Sequence, residues 1–453
     1  MPHLSFLSRQ LKGRNILRSV WGSCRVRSIF LFCVAAATLA AQSTDSESGS
    51  GTKGITAASQ FFDHDFVNFF VYGNGVWDSG LPTYSATNQL VQNSSFGWEA
   101  GGGVNATRSF KDGGLTINYR GSYREFQNGG LGSGESQSLS LAFNKRLNRR
   151  WTFSTDVSGG ILEYGTSYYS GSSLASTTSG SLFGSQTRFL NAGLSVTYAQ
   201  TRRLSYVFSG NFLLNSYDYA GAFSSRGGNG SASVLYRVTA KTTVGGTYSR
   251  TYFWYSQNGG SSTIDSGSLT LSHKFPDHWQ LDLSAGVNRS HSSGTITIPV
   301  STYYDGALLT GYYTGPYNRT LYTPVFQGVL THSFRRSSAS IAGGQSIMAG
   351  NGLFLTSKNQ FANGAFSFSS RHSNLSFGGN FVRLSSVSNT VSQTYSYYGA
   401  SASYGINLVR YLSANTRFDL VHYANLFSYG SFTESRVSFG LSLSTKSVPL
   451  TLF

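Results

Sequence analysis

The sequence predicts an all-β chain: a transmembrane, antiparallel up-and-down β-barrel of about 18 strands. Three observations predict it. Runs of residues alternate apolar and polar with a period of two, which describes a strand with one oily and one wet face. Short, mostly basic turns join those runs at one end, while long loops rich in Gly, Ser and Tyr join them at the other. Charged residues make up only 11% of 453 positions, against roughly 25% in a typical soluble domain. Aromatics reach 15%, and Ser, Thr, Asn and Gly fill the polar positions, as suits strands between lipid and water.

The segments can be justified in order. Residues 1–41 read as a signal peptide. Arg9, Lys12, Arg14, Arg18, Arg25 and Arg27 precede the apolar stretch from Ile29 to Ala41, and cleavage after Ala40 or Ala41 is expected. The stretch is too short to span a membrane as a helix. Removing it takes away six basic and no acidic residues, so the formal charge falls from +16 to +10. Cys24 and Cys33 leave with it, so the mature chain is expected to carry no disulfide and no thiolate metal site. Residues 42–60 read as a short flexible arm, and residues 61–453 as the barrel.

Eight short turns stand out, near Ser109–Gly113, Arg146–Arg150, Gln200–Arg203, Val238–Lys241, Lys274–His278, Phe334–Ser337, Ser370–Asn374 and Asn407–Arg410. The sharpest hairpin runs from Leu139-Ser-Leu141-Ala-Phe143 through Asn144–Arg150 to Trp151-Thr-Phe153. With both termini on the turn side, eight turns give 18 strands; one miscounted turn would give 16. Facing follows from the alternation. Leu115, Ile117, Tyr119 and Tyr123 oppose Thr116, Asn118, Arg120, Ser122 and Arg124, and Trp279, Leu281, Leu283 and Val287 oppose Gln280, Asp282 and Ser284. The apolar rows should face lipid, because a closed barrel pairs every backbone group and leaves its outer wall against hydrocarbon. Around Val325 and Ile341 the alternation is poor and assigns no face. The longest loops are expected at Tyr164–Ser185 and Ser292–Thr320, the second carrying Tyr303, Tyr304, Tyr312, Tyr313 and Tyr317. Either could fold inward and narrow the lumen, or stand exposed at the surface.

The chain ends Ser447-Val-Pro-Leu-Thr-Leu-Phe453, with a terminal aromatic after an amphipathic strand. Other marks are Asn68-Phe-Phe, Val76-Trp-Asp-Ser-Gly-Leu-Pro82, Asn118-Tyr-Arg-Gly-Ser-Tyr-Arg124, Ser333-Phe-Arg-Arg336, and Gly350-Asn-Gly352 with Leu355-Thr-Ser357. On these motifs the chain resembles a family of large bacterial outer-membrane β-barrel proteins. The resemblance implies an outer-membrane location, with Phe453 as the signal read by the barrel-assembly machinery. It implies no catalytic or ligand residue.

A search for chemistry finds little. None of the mature chain's histidines lies in a recognisable Ser, Asp or Glu motif. Asp63-His64-Asp65 holds metal-ligand types, but adjacent strand side chains point apart. No metal site, cofactor or enzymatic role is expected. The basic excess is spread over turns and wall, which does not suggest nucleic acid. The candidates that remain are charges on the wet face: Arg120, Arg124, Arg237, Arg417 and Arg436, with Asp156, Asp282 and Asp419 against them. Arg417 and Asp419 share one face and read as a wall ion pair. Five cations to three anions would mildly favour anionic solutes. The function expected is a porin-like diffusive channel for small polar solutes, since 18 strands enclose more space than wall side chains fill. The alternative is a non-conducting barrel, structural or binding a surface partner through its Tyr-rich loops. A soluble β-propeller is disfavoured by the wet-faced strands and the lack of a blade repeat. The expected partners are outer-membrane lipid, the assembly machinery and solutes; a homo-oligomer is left open.

Overall fold

The computed structural model describes residues 66–449, apart from position 81 and stretches 85–89, 128–132, 163–185, 219–223, 257–259, 305–306, 350–355, 387–393, 425–430 and 446–447. The signal peptide, the arm, Asp63-His64-Asp65, the Tyr164–Ser185 loop and Phe453 lie outside the described residues.

Eighteen long strands form one antiparallel sheet that closes on itself. We number them β1 (Phe66–Asp78), β2 (Ser95–Phe110), β3 (Gly113–Phe126), β4 (Gly134–Arg146), β5 (Trp151–Leu162), β6 (Thr187–Ala199), β7 (Leu204–Tyr217), β8 (Ser225–Arg237) and β9 (Thr242–Tyr255). The rest are β10 (Gly260–Lys274), β11 (Trp279–Tyr304), β12 (Ala307–Ser333), β13 (Ser337–Ala349), β14 (Thr356–Ser369), β15 (Ser373–Ser386), β16 (Thr394–Asn407), β17 (Leu412–Ala424) and β18 (Phe432–Ser444). Each pairs with its sequence neighbours, and β1 pairs with both β2 and β18, from Phe70↔Ser444 to Asp78↔Arg436. That last ladder removes the free edge of the sheet. Val448–Pro449 extends the seam by pairing with Val67 and Phe66, so Pro449 sits at the end of a ladder, where a missing donor is tolerated.

All eight turns read from the sequence separate consecutive strands here, with both described termini on the turn side. Their local chemistry recurs. The Asn148 side-chain carbonyl accepts from the Arg150 and Trp151 N–H groups. The Thr201, Thr239 and Ser370 hydroxyl oxygens do the same for the N–H groups two and three residues on. Such Asx- and ST-turns satisfy donors that the ladder leaves behind.

The alternation settles the two faces. Leu139, Leu194, Phe208, Leu283, Val287, Phe377, Phe439 and Leu441 are exposed large apolar side chains in rows around the outside. Phe326 and Ile341 join them, which assigns the faces the sequence left open. Trp151, Tyr198 and Tyr206 stack beside one turn, and Trp279, His332 and Phe334 beside another, as an aromatic girdle would. The intervening residues face inward and are mostly Ser, Thr, Asn, Gly and charged side chains, with buried apolar clusters toward the loop side.

One segment departs from expectation. Ser292–Thr320 is not a loop. It is the far end of a ladder in which β11 and β12 pair from Trp279↔His332 to Tyr304↔Ala307. The β10 ladder stops at Ser261↔Ser293, so residues 294–304 of β11 continue beside β12 alone. At about 3.3 Å per residue this hairpin runs some 35 Å past its neighbour.

Candidate functional site

The inward wall is not uniform, and two regions of it are built in opposite ways. At the closure seam, where β17, β18, β1, β2 and β3 lie side by side, the wall is charged. Asp78, Arg436 and Asp419 occupy one cross-strand row, because register pairs Asp78 with Arg436 and Arg436 with Asp419. The Arg436 guanidinium donates to Asp78 Oδ2, through Nε at 2.8 Å and also through Nη2, and reaches Glu434 Oε1 at 3.4 Å. Glu434 is also approached by the Tyr423 hydroxyl at 3.5 Å. On the neighbouring strand Arg417 Nε donates to Asp419 Oδ2 at 2.8 Å. Asp78, Glu434, Asp419 and Arg436 are all buried. Two strands along, Arg124 donates to Glu99 Oε2 from Nη2 at 2.6 Å and from Nε at 3.2 Å. The Tyr72 hydroxyl donates to Glu99 Oε1 at 2.9 Å and accepts from Arg120 Nη2 at 3.1 Å, and the Arg120 guanidinium lies 4.9 Å from the Tyr72 ring centroid. Buried charges persist when each is paired and hydrogen-bonded.

The first inter-strand connection is tied to this seam. Gln92 Nε2 donates to the Gly80 and Thr433 carbonyls, both at 2.7 Å, and Ser79 Oγ accepts from the Ser435 N–H. The seam is therefore capped on its loop side by residues from β1, β18 and the chain between β1 and β2.

Across the barrel, at β12 and β13, the wall is apolar and the ladder fails. Pairing runs from Ser333↔Ser338 to Phe326↔Gln345 and stops, although both strands continue. The cause is written in the chain. A strand residue points its N–H and C=O at the same neighbour, and the Pro324 carbonyl faces β13, where Gln345 Nε2 donates to it at 2.7 Å. The Pro324 ring thus stands where β13 would need a donor. Gln360 Nε2 in turn donates to Gln345 Oε1 at 2.8 Å.

Beyond that break the β13–β14 end moves inside the barrel. By alternation Gln345 and Ile347 share the face of Ile341, which is 67% exposed on the outside, yet they are 7% and 9% exposed. Ile347 packs with Phe253, Tyr255 and Ile264, with Leu213 against the group. Those four side chains project from the inward faces of β7, β9 and β10. Thr356 Oγ1 lies 3.2 Å from the Tyr255 hydroxyl and 3.4 Å from Ser292 Oγ, both also inward. The opposite face of the same end, Met348 and Phe361, packs on Val382, Leu384, Tyr395, Tyr397, Val421, Tyr423 and Phe432. One end of the β13–β14 pair is thus sandwiched between two walls, and this end of the wall itself occupies part of the loop side of the lumen.

Of the charges singled out in the sequence, the structure brings Arg436, Asp419, Arg417, Arg124 and Arg120 into or beside the seam. It leaves Asp156, Asp282 and Arg237 apart from it. Asp282 accepts from Gln280 Nε2 at 2.8 Å, Asp156 is half-buried opposite Gly193, and Arg237 closes β8 at a turn. Sequence reasoning missed Asp78, Glu99 and Glu434. The signal was available, since Asp78 shares the period-two face of Tyr72 and Val76. These three carboxylates add to the acids of the inner wall, and Lys274 and Arg319, on the inward rows of Gln280 and Ser292, add to its cations. Among the described residues no group of three or more His, Cys, Asp or Glu could hold a metal ion.

A closed 18-stranded sheet with an oily exterior and a charged, hydroxyl-lined interior defines a transmembrane β-barrel of the bacterial outer-membrane type. No protein-family model and no curated protein matches this chain. Among solved structures it is similar to OccK2 (OpdF) of Pseudomonas aeruginosa in complex with glucuronate, at 12% identity and TM-score 0.42, over 84% of this chain and 98% of that one. A BenF-like porin from Pseudomonas fluorescens Pf-5 matches at 13% identity and TM-score 0.42, over 85% and 100%. OccK8 (OprE) of P. aeruginosa matches at 11% and 0.40, over 86% and 100%. At these scores no residue, solute or role is carried over to this chain.

Proposed function

We propose that the protein is a porin-like diffusive channel for small polar solutes in the bacterial outer membrane. The observation that carries this reading is closure: 18 strands in one ring enclose a cross-section that wall side chains alone do not fill. The inner rows of Ser, Asn, Asp and Arg keep that space wet. Selectivity would come from the narrowing at the β13–β14 end and from wall charge. Because most seam charges neutralise one another within hydrogen-bonding distance, the field they project into the lumen is small.

A second reading has one observation in its favour. The β11–β12 hairpin stands well past its neighbours, as a surface-binding or structural barrel would present it. Single-channel recording of the refolded, bilayer-inserted protein separates the two. The channel reading expects stable conductance steps with an anion-to-cation permeability ratio near one. Correctly inserted barrels that pass no current would overturn it.

A further inference from the structure

On the outward face, toward the loop side, charge reappears above the apolar belt. We propose that this row on β6–β11 is a binding site for the phosphate groups of lipids in the outer leaflet. Arg188, Arg226, Arg250 and Arg289 share their strands' lipid-facing rows with Leu190, Val234, Tyr248 and Val287, and all four are exposed. Arg250, Asp265, Arg289 and Tyr322 form one cross-strand row, and Arg226 lies on the next strand opposite Trp254, four residues along β9 from Arg250.

Height follows from the strand positions. Arg188 and Arg226 each lie 11 residues from the turn-side ends of their strands, Ala199 and Arg237, Arg289 lies ten from Trp279, and Arg250 lies eight from Thr242. Ten residues climb about 25 Å at a rise of about 3.3 Å and a tilt of roughly 40°, which is the height of a barrel's apolar band. A lipid-facing arginine is costly at the midplane and nearly free at the interface, so the row marks the headgroup level.

Two further features select the ligand. Among the described residues Arg188, Arg226 and Arg289 have no ion-pair or hydrogen-bond partner, and Arg250 reaches Asp265 only at 3.7 Å with 66% of its side chain exposed. Four guanidiniums thus meet one carboxylate, and a guanidinium fork matches phosphate oxygens. Elsewhere around the barrel the same level carries Glu125 and Glu135 on β3 and β4 and a lone arginine, Arg383, on β15. The site continues downward into the apolar belt, so acyl chains could lie along Tyr248 and Val287 while Trp254 and Tyr322 flank the headgroup. That continuity favours a phosphorylated lipid over free phosphate. The proposal rests on membrane insertion and not on conductance.

The test uses the full mature barrel refolded into phosphatidylcholine vesicles doped with a bis-phosphorylated glycolipid or with its dephosphorylated form. Lipid retained per barrel after mild detergent extraction is read by native mass spectrometry. Only barrels that migrate as folded in unboiled gels are scored, so a non-conducting barrel still reports. Wild type should retain the phosphorylated lipid at least roughly tenfold better. The Arg188→Gln/Arg226→Gln/Arg289→Gln variant should lose that preference, and Glu135→Gln should keep it. Equal retention of both lipids, an unchanged triple variant, or displacement by millimolar inorganic phosphate would overturn the proposal. If the triple variant does not fold, wild-type retention that ignores added salt would also overturn it, because exposed ion pairing is screened.

Discussion

The seam that closes the barrel and the seam that breaks it solve the same problem with opposite chemistry. At β1–β18 the ladder is intact, and buried ion pairs run across it: Asp78, Arg436 and Asp419 in one row. At β12–β13 the ladder stops at Pro324, and apolar packing of Ile347 against Phe253, Tyr255 and Ile264 takes over. Ion pairs are directional, so they can hold two chain ends in one register. Apolar contact is not, so it can hold two overlapping layers that no longer share hydrogen bonds. The first device fixes the ring. The second lets part of the wall slip inward.

The comparison can be broken from either side. The largest effect is expected from Arg436→Ala, which strands the Asp78 and Glu434 carboxylates in a buried wall. Removing one partner of a buried pair costs about 3–5 kcal/mol, so urea unfolding in vesicles should show a marked loss of folded barrel. A change under about 1 kcal/mol would mean that solvent already reaches the seam. Next comes Ile347→Ala. If Ile347 is packed between layers, truncation costs about 2–4 kcal/mol and should enlarge or destabilise the conductance steps. If its side chain faced lipid, as simple alternation says, neither stability nor conductance would move.

That second prediction marks where the sequence stopped being readable. Strand number, turn positions and the faces of the regular strands follow from period two and turn chemistry, as at Leu139–Val157. Ile347 obeys the same period as Ile341, so nothing local distinguishes the residue in the interlayer from the one outside. Only Pro324 betrays the break, and its effect depends on which neighbour its missing N–H faces. The β11–β12 hairpin was hidden by its Gly and Tyr content, although Thr295-Ile-Thr-Ile298 is a β-branched run that favours strand. The seam charges were half legible. Arg436 and Asp419 are readable by alternation; Asp78 is distant in sequence, and Glu434 stands on the same wet row two residues before Arg436.

Smaller effects sharpen the picture. Gln345→Leu keeps the bulk but leaves the Pro324 carbonyl without its donor, and should cost about 1–3 kcal/mol by the same unfolding assay. A neutral result would show that β12 and β13 do not need this bridge. Smallest is His278→Gly. Asp277 and His278 both hold positive φ, 59° and 66°, in the Lys274–Trp279 turn. Glycine relieves that conformation at the cost of a looser unfolded chain, so a gain of no more than about 1 kcal/mol is expected.

The central claim is that, outside the β13–β14 end, one wall carries a lipid face and a water face in alternation. The mature chain is expected to lack cysteine, so single cysteines can be placed at Leu283, Ser284, Ala285 and Gly286 on β11 and probed in vesicles. A charged, membrane-impermeant thiol reagent should label positions 284 and 286, and a lipid-borne quencher should silence a fluorophore at 283 and 285. Uniform labelling of all four, or protection of 284 and 286 from water, would contradict the account.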